Sequence, residues 1–113
     1  FYDPKHATTE LVDECFDIVN DKGKTVRIIS LAKSAIRHNM AEELPKMDIP
    51  FCLIWAKNDT ITPPDVAEEF QELLPNADLM WIDRCGHAPM MEHPKEFNEL
   101  LGKWLEEQFP SAA

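Results

Sequence analysis

The uninterrupted apolar run Phe51-Cys52-Leu53-Ile54-Trp55-Ala56, starting just after Pro50, constrains this chain more than any other feature. A run that apolar suits a strand buried on both faces, as in a parallel sheet. A second run, Leu79-Met80-Trp81-Ile82, reads as another strand and is ended by Asp83. Between the two, Pro64 or Asp65 opens a helix to Leu74 with Val66, Ala67, Phe70, Leu73 and Leu74 on one face, and Pro75-Asn76 turns the chain. After the second run, Pro94 fits the first position of a last helix. That helix carries Phe97, Leu100, Leu101, Trp104 and Leu105 along one stripe. Strand-helix-strand-helix with short loops is a βαβα unit, which implies an α/β fold with two parallel strands and a right-handed crossover.

The segment before Pro50 is different in kind: it reads as all-α. Phe1 to His6 is a short irregular lead containing Pro4. Thr9 can cap a helix to about Asn20, whose apolar positions Leu11, Val12, Cys15, Phe16, Ile18 and Val19 follow the helical period. Asp21-Lys22-Gly23-Lys24 ends it, with Gly23 suited to the left-handed C-terminal conformation. A second helix from about Thr25 to His38 buries Val26, Ile29, Ala32 and Ile36. Pro45 ends the helical turn of Ala41 to Leu44. The chain thus divides into a helical segment, 1–47, and an α/β segment, 48–113.

Composition narrows the partners. A length of 113 residues suits one small domain, and a hydrophobic content of 44% excludes a disordered chain. The net charge of −10 argues against nucleic acid and anionic membrane as partners; it reads first as a surface that keeps the protein soluble. The three cysteines, Cys15, Cys52 and Cys85, have no paired spacing. They read as buried free thiols in a reducing compartment, hence cytoplasmic. No apolar stretch approaches the length of a membrane span. The chain begins at Phe1 without an initiator Met and reads as cut from something longer.

The chemistry gathers at the strand ends. In open α/β sheets the working residues lie beyond the carboxyl ends of strands. Asp59 follows the first strand, and His87 follows the second in the run Asp83-Arg84-Cys85-Gly86-His87-Ala88-Pro89. If the strands are neighbours, both loops open at one rim and the side chains meet. The Asp then holds the tautomer of the His and stabilises its imidazolium, two thirds of a nucleophile-His-acid triad. The third member is missing: no Ser, Cys or Asp sits in a Gly-x-nucleophile-x-Gly elbow, and the chain has only three glycines. Cys85 is too near His87 in sequence to align for proton transfer. Glu92 reads as a backbone-bonding loop residue, His93 as a marker of the helix start, Met90 and Met91 as packing, and Asp83 and Arg84 as a solvated strand end. His87, Glu92 and His93 lack the spacing of a zinc set and are interrupted by Pro89 and Pro94, so neither metal nor cofactor is implied.

Two loops carry a resemblance. Trp55-Ala56-Lys57-Asn58-Asp59-Thr60-Ile61-Thr62-Pro63 resembles the acid loop of the α/β-hydrolase fold family, and Gly86-His87-Ala88-Pro89-Met90-Met91-Glu92-His93-Pro94 resembles its catalytic-His loop. Leu44-Pro45-Lys46-Met47-Asp48-Ile49-Pro50 resembles the return from a helical lid to the core. The resemblance implies Asp59 as triad acid, His87 as general base, and residues 1–47 as part of a lid. Ala56 departs from the family's usual Gly, which should crowd the turn before Asp59. The elbow and the oxyanion-hole loop lie upstream in the family and outside this chain. The implied function is the C-terminal portion of a lidded hydrolase acting on a small-molecule ester or a carbon–carbon bond, inactive by itself. The alternative is a non-catalytic ligand- or protein-binding module of the same fold. Two parallel strands are too few to bury their own faces. The expected partner, besides a small-molecule substrate, is therefore the upstream half of the hydrolase or a second copy of the chain.

Overall fold

The computed structural model describes residues 1–110, so the last three residues of the α/β segment lie outside the described part. Two strands, β1 (Phe51–Ala56) and β2 (Ala77–Ile82), pair in parallel. Their register runs from Phe51 opposite Ala77 to Ala56 opposite Ile82. Equal length and an even register bring both carboxyl ends to one level. The second strand begins two residues earlier than its apolar run, because Ala77 and Asp78 continue the ladder despite their weak strand preference.

Helices follow each strand. After β1 the chain forms a ten-residue helix, Pro64–Leu73, with Pro64 in its first turn, where a missing N–H costs nothing. After β2 come a one-turn helix, Pro89–Glu92, in place of the expected loop, and the last helix, Pro94–Gln108. These are numbered α3, α4 and α5, after the two helices described next. Phe97 and Leu100 of α5 pack on a core of Ala56, Ile82 and Cys85. Trp104 is buried and donates its indole N–H to Asp78 Oδ2 at 2.8 Å, which fastens α5 to β2. The first five residues of β1 are only half-buried, contrary to the expectation of cover on both faces. The reason is the small amount of structure present: one strand and a few helices cannot enclose a six-residue apolar run.

The helical segment holds α1 (Thr9–Asn20) and α2 (Lys22–Arg37). Its local punctuation corrects three expectations. Thr8, not Thr9, is the cap: its hydroxyl accepts from Leu11 N–H at 3.3 Å. Gly23 does not adopt the left-handed conformation; it lies in the first turn of α2. The break falls at Asp21, whose backbone closes α1 on Asp17 and whose carboxylate caps α2 by accepting from Lys24 N–H at 3.0 Å. A short acidic side chain competes with the helix for its own backbone, so it can end one helix and start the next without glycine. Pro45 sits inside a 3-10 turn, Leu44–Lys46, rather than ending one.

Neither α1 nor α2 buries a residue. The positions expected in a core, among them Val26, Ile29 and Ile36, are exposed, and so is Cys15; Cys52 is half-buried and only Cys85 is buried. The radius of gyration, 17.0 Å, reflects this, against about 13 Å for a compact chain of this length. No helix among the described residues is long and apolar enough to cross a membrane.

Candidate active site

Backbone bonds carry the parallel ladder past the ends of both strands. Lys57 N–H donates to Ile82 O at 2.9 Å, and Asn58 N–H donates to Cys85 O at 3.2 Å. The loop bearing Asp59 is therefore stitched to the loop bearing His87 before either side chain is considered. Ala56 does not strain the turn: it is outside the left-handed region, and its methyl joins the core cluster. The expected crowding is instead a packing contact.

His87 Nδ1 lies 2.9 Å from Asp59 Oδ2. The carboxylate can only accept, so Nδ1 carries the proton and donates it to Oδ2; Nε2 of the neutral ring is then the basic nitrogen. All hydrogen bonds of the ring among the described residues are made at Nδ1, and the His87 side chain is about half exposed. Asp59 is buried and saturated with donors. Its Oδ1 accepts from Ile61 N–H at 2.8 Å and Thr62 N–H at 3.1 Å, and its Oδ2 also accepts from the Thr62 hydroxyl at 2.9 Å. Burial alone would raise the Asp59 pKa, but the bonds from His87, Ile61 and Thr62 outweigh it and hold it at about 2.

Thr62 was not singled out in the sequence, yet it organises the acid. It gives Asp59 two donors, and its Oγ1 lies 3.3 Å from His87 Nδ1. Its carbonyl in turn accepts from the Trp55 indole N–H at 2.9 Å. The available signal was an Asx-turn pattern, Asp-Thr-Ile-Thr, in which a carboxylate binds backbone two and three residues on. A recess of about 160 Å3 lined by Trp55, Asp59, Thr62, His87 and Met90 lies over the pair. Met90 and Met91 are half exposed rather than packed away, because α4 turns them outward; Met90 lines the recess.

The other candidates have structural partners. Cys85 is fully buried; burial first, then the nearby carboxylates of Glu92, Glu96 and Asp59, push its thiol up to about 11, so it stays protonated at neutral pH. The Glu92 carboxylate accepts from backbone N–H groups, as expected, although Glu92 closes α4 rather than lying in a loop. His93 Nε2 bonds Arg84 O at 3.0 Å. Among the described residues no group of three His, Cys, Asp or Glu side chains could hold a metal ion. Arg84, read only as a solvated strand end, has a left-handed φ of 48° and is held there by its own N–H on Asp83 Oδ1 and by His93 on its carbonyl.

A parallel β-α-β crossover with a buried carboxylate and a histidine joined beyond its strand ends defines the class. The family model of the α/β hydrolase fold matches residues 16–94, and the chain belongs to that family. It is 31% identical over 106 residues to a 2-hydroxy-6-oxononadienedioate/2-hydroxy-6-oxononatrienedioate hydrolase of a Pseudomonas species, a match covering 92% of this chain and 38% of that protein. It is 39% identical over 59 residues to a pimeloyl-[acyl-carrier protein] methyl ester esterase of Nitrosomonas europaea, covering 52% of this chain and 23% of the esterase. Among solved structures, an α/β hydrolase enzyme from the metagenome of sediments of the lagoon of Mar Chica, Morocco, superposes with a TM-score of 0.80 at 61% identity. That match covers 88% of this chain and 46% of the other. The chain therefore spans less than half the length of each of these relatives.

Proposed function

We propose that this chain supplies the acid and the general base of a hydrolase that cleaves a small-molecule ester or a carbon–carbon bond, with Asp59 as acid and His87 as base. The observation that carries the reading is the 2.9 Å bond from His87 Nδ1 to Asp59 Oδ2, which leaves Nε2 without a hydrogen-bond partner among the described residues. A nucleophile placed against Nε2 would pass its proton to the ring, and Asp59 would stabilise the imidazolium. The nucleophile and the oxyanion-hole donors would come from residues outside these 113. The similarity to a dienoic keto-acid hydrolase over 92% of the chain, and to a methyl ester esterase over 52%, supports both substrate classes. Residues 1–47 would form part of a lid. The unburied apolar faces of α1 and α2 support this reading, since a lid is covered only when seated on the rest of an enzyme.

The chain alone would then be inactive and would seek a companion. β1 and β2 have only each other as neighbours among the described residues, so each strand keeps an outer edge open to pairing. The test is an assay of the 113-residue chain, with and without a companion carrying a Ser elbow, on aryl esters and on a dienoic keto acid. Turnover should appear only with the companion and vanish with His87→Ala. Turnover by the chain alone that is lost with His87→Ala would mean that the nucleophile lies within it. Activity that survives His87→Ala would reject the base assignment.

A further inference from the structure

Glu92 is a buried carboxylate in a chain whose proposed chemistry does not use it. Its two oxygens are divided between two distant segments. Oε1 accepts from Gly86 N–H at 2.8 Å, directly before His87. Oε2 accepts from Tyr2 N–H at 2.8 Å and Asp3 N–H at 3.3 Å, in the lead that runs into the helical pair. A second, independent observation concerns the same junction. A Cβ on Gly86 would stand 2.8 Å from Tyr2 N and 2.9 Å from Phe1 C, closer than real Cβ atoms come to backbone. The lead and the His loop are therefore in backbone contact, and the glycine permits it.

We propose that Glu92 is a positioning residue: it fastens the lead of the helical segment to the His87 loop, so that the seating of that segment and the orientation of the imidazole are set together. This rests on the reading of His87 as the base. The physical argument is one of alternatives. Three backbone N–H groups converge on one carboxylate, and a buried N–H left without an acceptor is costly. An apolar or shorter side chain would release both segments at once. A glutamine would turn an N–H2 toward at least one donor. The burial of Glu92 raises its pKa, but the bonds from Gly86, Asp3 and Tyr2 more than offset this and leave it below the usual value, so the staple is charged at neutral pH. At the far end of the loop, His93 on the Arg84 carbonyl braces the strained residue. His87 is thus an exposed residue of a loop whose backbone is held on both sides.

The experiment uses the 15N-labelled 113-residue chain and reads two signals independent of turnover: amide exchange at Tyr2 and Gly86, and the tautomer of the His87 ring from long-range 1H–15N correlations. In the wild type, the two amides should be protected and open together, and the ring should be the Nδ1–H form. In Glu92→Ala, which removes the acceptor from both segments, exchange at both amides should rise roughly ten- to hundredfold, and the ring should become a mixture of tautomers. An unchanged ring and unchanged exchange in the variant would overturn the proposal. Should the variant not fold, the wild type decides: a Tyr2 amide exchanging as in a free chain beside a protected Gly86 amide would overturn it, and joint opening would support it. Loss of the base reading would show instead as hydrolysis that survives His87→Ala, with the Glu92 signals unaffected.

Discussion

The helical pair of residues 9–37 and the βαβα unit of residues 51–108 are both written in amphipathic segments, yet only the second buries any of them. The unit encloses Ala56, Ala67, Leu74, Ile82, Cys85 and Trp104, whereas α1 and α2 leave Phe16, Val26, Leu31 and Ile36 at least half exposed. What holds the pair together is local: the Thr8 and Asp21 caps and the Thr25 hydroxyl on Val19 O at 2.7 Å. What holds the unit together is long-range: parallel pairing, helix cover and the bonds between the Asp59 and His87 loops. An apolar stripe states that a helix needs a partner; it does not supply one. The Asp59–His87 pair belongs to the region where distant residues are brought into contact, and α1 and α2 to the region where they are not.

The largest effect should follow from His87→Ala in the complete enzyme. We expect kcat/KM to fall by roughly 10^3-fold or more, measured by steady-state assay. Phe16→Ala in the helical pair should change KM more than kcat. Equal loss of kcat from both variants would erase the distinction between the regions.

Stability should divide in the same way. Ile82→Ala removes a fully buried side chain of the unit and should cost about 2–5 kcal/mol. Leu31→Ala on the pair, where the side chain is 72% exposed, should stay within about 0.5 kcal/mol. Denaturant titration of the two variants checks this; equal losses would place α2 in a core.

Glycines sharpen the comparison at smaller scale. Gly86→Ala meets the backbone of Phe1 and Tyr2 and should destabilise by about 1–3 kcal/mol. Gly102→Ala in α5, where a Cβ meets nothing within 4 Å, should stabilise by about 0.5–1 kcal/mol through helix propensity. Thermal unfolding of the pair of variants should shift in opposite directions.

Acid should also separate the regions. Asp59 has a folded pKa of about 2 against an ordinary 3.8. A depressed carboxylate contributes stability above its unfolded pKa and loses it as pH falls through the folded value. The contribution should be about 2 kcal/mol above pH ~4 and fade toward pH ~2. Asp59→Asn should flatten that limb of the stability–pH curve. Asp21→Asn, at an exposed cap whose pKa is also lowered by the Lys24 N–H, should flatten it less.

Much of this was readable from the residues. Pro64 and Pro94 mark the first turns of α3 and α5 because proline lacks only an N–H that those positions do not need. The run of residues 51–56 is a strand, and its neighbour follows one helix later, so the rim where Asp59 and His87 stand was legible as an order of elements. What was misread had a common source. Cys15, Val26 and Ile36 were expected to be buried because periodicity reports a face, while burial depends on what lies opposite that face.

The amino-acid sequence by itself determined the two strands, the four longer helices, the parallel crossover and the two residues at its rim, because periodicity, proline placement and strand-end position are local properties. Only the tertiary structure decided that Thr62 completes the donor set of Asp59, that Glu92 joins residues 2–3 to Gly86, and that Gly86 must remain a glycine. Each of these depends on the distance between groups far apart in the chain or turned around a loop, and such distances are set by the close approach of whole segments rather than by the character of any one of them.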